Sequence, residues 1–193
     1  MRKSSIKLLF RQLCLDGSTF FTLDVVSAAC DDYLSMVISM EELLKRLPDL
    51  PRPIVATSGG FDPLHVGHLR CILEAKKLGG TLIVIVNGDG FLMRKKRYQF
   101  MPCVDRMEII DGIRGVDHVV DWDDGSQFVS KAIELIRPNI FAKGGDRAEP
   151  KDIPEWDICQ QVGCQVVFGV GGGKIRSSSE LVEQAREAEP KLS

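Results

Sequence analysis

From Pro53 onward, short apolar runs rich in β-branched residues alternate with stretches of helical spacing, and this alternation narrows the fold more than any other feature of the chain. The expected strands are Ile54 to Thr57, Thr81 to Val86, Val119-Val120, Asn139 to Ala142 and Gln165 to Gly169. Between and after them lie expected helices over Val66 to Leu78, Val104 to Arg114, Ser126 to Ile136, Trp156 to Val162 and Ser178 to Ala188. Glycines at 79 and 80 suit the end of the first helix, and Asn87-Gly88 suits a turn after the second strand. Successive strands joined by a helix are parallel neighbours with right-handed crossovers, and the helices must cover both faces. The expected architecture is an α/β, Rossmann-like, five-stranded parallel sheet with helices on both faces, which binds ligands at the carboxyl ends of its strands.

The first 50 residues do not share this pattern. A short helix through Leu8 and Leu15 ending at Gly17, and a longer one from Thr22 to Leu47, fit the apolar spacing, and Pro48, Pro51 and Pro53 then stiffen the connection. Residues 1–50 are therefore expected to form an N-terminal helical appendage and residues 51–193 the main domain. The appendage either covers one side of that domain or forms a hairpin for docking a partner or for oligomerisation, as in a homodimer. Met1-Arg2-Lys3 and Ile6 to Phe10 imitate a leader, but Arg11, Gln12 and Asp16 break the apolar run, so neither a signal peptide nor a membrane span is expected. A net charge of −2 over 193 residues gives no general attraction to nucleic acid or to an anionic membrane, so phosphate binding has to be local. Six scattered cysteines without zinc spacing read as reduced core thiols of a cytoplasmic protein.

Local phosphate binding has an obvious place. Gly59-Gly60-Phe61-Asp62-Pro63-Leu64-His65-Val66-Gly67-His68 follows the first strand and opens the first helix. A strand that ends in glycines and gives way to a helix presents unpaired N–H groups to an anion at the positive end of the helix dipole. His65 and His68, three apart, can face one bound group there, with Gly67 keeping the space between them open.

His65-Val66-Gly67-His68 in this setting resembles the HxGH signature of the nucleotidyltransferase superfamily, which includes cytidylyltransferases and the pantetheine-phosphate, nicotinate-mononucleotide and heptose-phosphate adenylyltransferases. The resemblance implies that the two histidines bind a triphosphate and stabilise the transition state of in-line attack on the α-phosphorus. That chemistry needs positioned donors and cations rather than a protein nucleophile. Gly59, Gly60, Phe61 and Asp62 then lie at the phosphates.

Three further segments fall in the order of that family. Asn87-Gly88-Asp89 through Arg114-Gly115-Val116-Asp117 is similar to a stretch of glycerol-3-phosphate cytidylyltransferases, which implies catalytic roles for Lys95 and Arg106 and substrate contacts from Asn87, Asp89 and Arg114, with Arg97 standing where that family has a second lysine. The basic tetrad Arg94-Lys95-Lys96-Arg97 is expected in a mobile loop that closes on triphosphate. Lys143-Gly144-Gly145-Asp146 matches the heptose-phosphate adenylyltransferases, although Arg147 replaces their aromatic residue; its glycines allow close backbone approach, and Asp146 can accept from a ribose or sugar hydroxyl. Arg176-Ser177-Ser178-Ser179, at the start of the last helix, resembles the family's serine- and threonine-rich motif, with Arg176 replacing an apolar residue, and can hold β- and γ-phosphates or cap the helix.

The implied activity is transfer of a nucleotidyl group from an NTP to a phosphorylated small molecule with release of pyrophosphate. Mg²⁺ accompanies the triphosphate as cofactor, and no protein metal site is expected. ATP with a heptose-1-phosphate-like sugar phosphate is the favoured pair. A CTP-dependent transferase acting on a polyol phosphate such as glycerol 3-phosphate is the alternative, and a nucleotide-binding module without turnover is the reading from a different class.

Overall fold

The computed structural model describes residues 36–145 and 149–188. Five strands, β1 (Ile54–Gly59), β2 (Thr81–Asn87), β3 (His118–Trp122), β4 (Ile140–Gly144) and β5 (Gln165–Val170), form one parallel sheet in the order β3-β2-β1-β4-β5. The chain moves outward from β1 through β2 to β3, then returns to the other side of β1 for β4 and β5. Crossovers on the two sides of β1 run in opposite directions, so the carboxyl ends of β1 and β4 part and leave a crevice. Register is set by burial: all seven residues of β2 are buried, paired from Ile54 opposite Thr81 to Gly59 opposite Val86.

Seven helices surround the sheet among the described residues: α1 (Met40–Arg46), α2 (Val66–Lys76), α3 (Asp89–Lys96), α4 (Cys103–Asp111), α5 (Ser130–Ile136), α6 (Trp156–Val162) and α7 (Ser178–Glu187). Leu43 of α1, Ile133 of α5 and Cys159 of α6 pack with Ile54, Ile83 and Phe141 on one face. Ile72 of α2 and Met107 and Ile110 of α4 pack with Val55, Val84 and Ala142 on the other. Apolar side chains cover both faces, as the apolar strands require.

Three local expectations are corrected. The helix expected from Thr22 to Leu47 begins, within the described residues, only at Met40; its earlier part lies outside them, as does the short helix ending at Gly17. Val37 instead bridges Val119 in parallel, with Val119 donating to Met36 O at 2.8 Å and Ile38 donating to Val119 O at 3.0 Å. Pairing with the outer edge of β3 satisfies backbone groups that a helix would have left to itself. Ser39 then caps α1, its hydroxyl accepting from the Glu42 N–H at 3.1 Å. Second, the helix expected from Ser126 starts at Ser130, because Asp124 accepts from both the N–H and hydroxyl of Ser126 and the Ser126 hydroxyl accepts from Phe128 N–H. Such side-chain bonds hold a turn against helix formation.

The third correction concerns the basic tetrad. Arg94, Lys95 and Lys96 are not in a loop but form the last turn of α3, and Arg97, at φ 66°, terminates it in the left-handed region. Buried Phe91 and Leu92 anchor this helix, and Asp123 accepts from the Phe91 N–H at 2.8 Å. Arg94 is committed to Asp123 and to Ser126 O, which fixes the helix to the loop after β3. Positive residues at a helix C-terminus also favour the helix over a loop.

Candidate active site

His65 is the N-cap of α2, and it and His68 hold each other through the backbone. His65 Nδ1 accepts from the Gly67 N–H at 3.1 Å, and His68 Nδ1 accepts from the His65 N–H at 3.4 Å. The two rings stack with centroids 3.8 Å apart, and Phe61 meets His68 edge-on at 5.1 Å. A Cβ at position 67 would lie 3.0 Å from the His65 ring, so glycine there is what allows His65 to fold back onto its own helix. With Nδ1 accepting on both rings, a neutral imidazole carries its proton on Nε2. Each histidine is thereby a fixed N–H donor.

The protonation state follows from the surroundings. Burial, then the neighbouring His65 and Lys96, push the His68 pKa down to about 3; burial, Lys96 and Arg176 lower that of His65. At neutral pH both rings are uncharged, and positive charge comes from elsewhere. Because the folded state binds fewer protons than the unfolded one between about pH 3 and the ordinary histidine range, stability is complete above that range and is lost as pH falls through it. The unfolding midpoint should fall as pH is lowered from about 7 to about 5, and should fall less in a His68→Asn variant. Equal slopes in thermal melts of the two proteins would remove His68 from this linkage.

Both histidines line a cavity of about 370 Å³ at the carboxyl edge, floored by Thr57 and Ser58 of β1 and Lys143 of β4. Across it stand Gly171 to Ser179, so the start of α7 opens on the same space as the start of α2. Gly171, at φ 85°, crosses α2 so closely that a Cβ would lie 2.5 Å from the Cys71 nitrogen, and this passage brings the serine segment to the histidines. The three serines divide their tasks. Ser178 is buried and donates to Pro63 O at 3.0 Å; Ser179 accepts from the Tyr98 hydroxyl at 3.1 Å; Ser177 is the N-cap residue of α7, yet its hydroxyl makes no capping bond. Arg176 and Ser177 line the cavity.

Asp62 does not face this space. Its carboxylate accepts from the Phe100 and Met101 N–H groups, both at 2.7 Å, and is fully buried. It pins the connection between α3 and α4 to the end of β1, and Gly60 and Phe61 complete that turn. A Cβ on Gly60 would strike Leu92 at 2.8 Å.

Arg106 has a comparable role. Its guanidinium is buried and donates to Met101 O at 3.0 Å, Gly60 O at 2.7 Å, Asn87 O at 2.6 Å and Asp89 Oδ1 at 2.7 Å. Although the resemblance implies a catalytic role, Arg106 instead ties the carboxyl ends of β1 and β2 to α3 and α4; its side chain has no surface left to meet a ligand. Asp89 is engaged in the same network.

Lys95 and Lys96 point in different directions, as adjacent helical residues must. Lys96 lies with the histidines in the main cavity, its Nζ 3.5 Å from Asp62 O, and burial lowers its pKa. Lys95 is exposed, with Nζ 5.4 Å from the Phe91 ring centroid, and lines a neighbouring cleft with Asn87. Lys96 is the residue that choosing Lys95 passed over. It follows buried Leu92 by four positions, and that helical period would have selected it once α3 was taken as a helix.

Arg114 is not brought to the site. It is exposed in the turn between α4 and β3, beside Asp117, whose carboxylate accepts from the Leu82 N–H at the start of β2. That is the amino edge of the sheet, and α4 has carried the chain away from the cavity. Gly144 lines the cavity next to Lys143, whereas Asp146 lies outside the described residues.

Comparisons with known proteins bear on the family and the fold. A profile for cytidylyltransferase-like proteins matches residues 56–167. The bifunctional protein HldE of a Nitratiruptor species is 31% identical over 161 residues, which cover 82% of this chain and 33% of that protein. That of Aliarcobacter butzleri is 30% identical over 184 residues, 90% of this chain and 37% of that protein. The chain thus spans about a third of these curated relatives. Among solved structures, the lipopolysaccharide core biosynthesis protein from Thermoplasma volcanium aligns with a TM-score of 0.50 at 25% identity, covering 64% of this chain and 96% of that one. A pantothenate synthetase from Thermus thermophilus shares the fold at a TM-score of 0.55 and 18% identity, over 79% of this chain and 70% of that one.

Proposed function

We propose, because the chain belongs to the cytidylyltransferase-like family of nucleotidyltransferases, that it transfers a nucleotidyl group from an NTP to a phosphorylated small molecule and releases pyrophosphate. The observation that carries this reading is the pair of neutral, capped histidines facing a cavity between two helix N-termini, with Lys96 and Arg176 in the same wall. Phosphates of an NTP fit that arrangement: N–H groups and serine hydroxyls for non-bridging oxygens, two cations for net charge. His65 and His68 Nε2–H groups donate to oxygens around the α-phosphorus, where negative charge grows as the new bond forms.

A phosphate oxygen of the acceptor attacks the α-phosphorus, the bond from that phosphorus to the bridging oxygen of the β-phosphate breaks, and pyrophosphate leaves with the bonding electrons. An ionised phosphate is already a nucleophile, so no general base is required. Mg²⁺ does not fit as a resident ion: among the described residues no three His, Cys, Asp or Glu side chains gather to ligate one, and the cavity wall is cationic. In this reading Mg²⁺ arrives on the triphosphate as part of the substrate.

ATP and a heptose-1-phosphate-like sugar phosphate remain the favoured substrates, on the match of Lys143-Gly144-Gly145-Asp146 to the heptose-phosphate adenylyltransferases. The alternative of CTP and a polyol phosphate rests on the Asn87 to Asp117 stretch, of which Arg114 and Asp117 lie at the wrong edge. Incubating the protein with each NTP and a panel of sugar and polyol phosphates, and measuring pyrophosphate, tests both; release with ATP and a sugar 1-phosphate alone is the expected pattern.

Lys96 and Lys95 should separate kinetically. Lys96→Ala is expected to raise the NTP KM and lower kcat, about tenfold or more in kcat/KM, because a cation contacting the triphosphate acts in both ground and transition states. Lys95→Ala should leave the NTP KM within about twofold, since its ammonium lies outside that cavity. The reverse ranking would place the triphosphate in the neighbouring cleft.

A further inference from the structure

The neighbouring cleft, of about 350 Å³, shares Ser58, Gly59, Lys96 and Lys143 with the histidine cavity, so a ligand in it would meet the NTP across a common wall. Its own wall is built from Asn87 of β2, Lys95 of α3 and Glu155, which precedes α6. Asn87 and Glu155 are more than nine-tenths buried, at 7% and 5% exposure. Each brings an oxygen that accepts no hydrogen bond, Asn87 Oδ1 and Glu155 Oε2. The other Glu155 oxygen accepts from the Val129 N–H at 3.4 Å, while Oε2 stands 3.3 Å from the Lys143 ammonium. Native proteins rarely leave buried acceptors without a donor, because each costs the desolvation it does not recover. In this cleft Asn87 Oδ1 has none and Glu155 Oε2 has only the ammonium of an ion pair, which points to a ligand that supplies donors.

Resting on the transferase reading, we propose that Glu155 and Asn87 bind hydroxyl groups of the acceptor, so that the cleft selects a phosphate monoester rich in hydroxyls over one without them. Lys95 and Lys96 take its phosphate, directing it to the shared wall, and Glu155 and Asn87 take the hydroxyl-bearing end. Lys143 balances the Glu155 charge, so the carboxylate accepts from hydroxyls without opposing the entry of an anion. Carboxylate acceptors make stronger hydrogen bonds than neutral ones, which gives Glu155 the larger share of the discrimination. Glu155 makes and breaks no covalent bond in this account; it is a specificity residue.

Calorimetric titration of the whole chain with a hexose 1-phosphate and with ethyl phosphate tests this without requiring turnover. The native protein is expected to bind the hexose phosphate at least about tenfold more tightly. In Glu155→Gln, which can still accept from the Val129 N–H, that ratio should fall about tenfold while ATP binding stays within about twofold. Asn87→Ala, which removes the acceptor that has no donor, should lower the ratio independently. An unchanged ratio in both variants, equal weakening of both phosphates, or no preference in the native protein would overturn the assignment. Preserved binding preference without pyrophosphate release from any NTP would instead count against the transferase reading and leave the cleft's selectivity standing.

Discussion

His68→Asn should lower turnover by about 10²- to 10³-fold while changing the NTP KM by less than about threefold, the pattern for a donor that acts mainly on charge formed in the transition state. Asparagine is chosen because its oxygen can replace Nδ1 as acceptor for the His65 N–H, which preserves the cap at the start of α2. What it cannot replace is the donor at Nε2. His65→Asn should cause a loss of similar order, and the double variant should fall short of the product of the two, since stacked rings at 3.8 Å serve one centre. Steady-state kinetics with circular dichroism as a fold control settles the matter. Near-normal kcat in either variant would take that histidine out of the chemistry.

Arg106→Met should destabilise the fold by about 3–5 kcal/mol, the range for breaking a buried, charged network by removing one partner. The carbonyls of Gly60, Asn87 and Met101 would lose a donor at once, and the ends of β1 and β2 would lose their tie to α3 and α4. For a chain of this length the midpoint of thermal unfolding should drop by roughly 6–20 °C. Arg106→Lys should not rescue it, because one ammonium cannot reach four acceptors in a planar fork. If instead the melting temperature held while the NTP KM rose sharply, Arg106 would be touching phosphate after all.

These two residues show what the sequence carries and what it does not. The sheet was legible because runs such as Thr81 to Val86 are apolar at nearly every position, a pattern that a strand buried on both faces requires, and because Gly79-Gly80 and Asn87-Gly88 mark where it starts and ends. The histidine pair was legible because the backbone cap, the glycine between the rings and the strand before them are all local in sequence. Arg106 was singled out, but its partners at positions 60, 87, 89 and 101 come from separate elements, and nothing local distinguishes an arginine that binds carbonyls from one that binds phosphate.

Arg94 to Lys96 look like a solvated loop because they are charged without interruption; their helix is fixed by Phe91, Leu92 and the contact to Asp123, a residue 29 positions from Arg94. The strand-like course of residues 36–38 depends on the free edge of β3, far along the chain. Glu155 gives no local signal at all. An acid just before a helix reads as a favourable charge at its N-terminus, and only the fold reveals that it is buried opposite Lys143.

The most direct measurement is to follow the label from ATP carrying radioactive phosphorus at the α-position, in the presence of Mg²⁺ and an unlabelled sugar 1-phosphate. Direct transfer predicts that label appears in the sugar-nucleotide product at the rate pyrophosphate is released, that the pyrophosphate is unlabelled, and that none remains on acid-precipitated protein. Label confined to ATP or free AMP, or a labelled protein intermediate, would contradict in-line nucleotidyl transfer by His65 and His68.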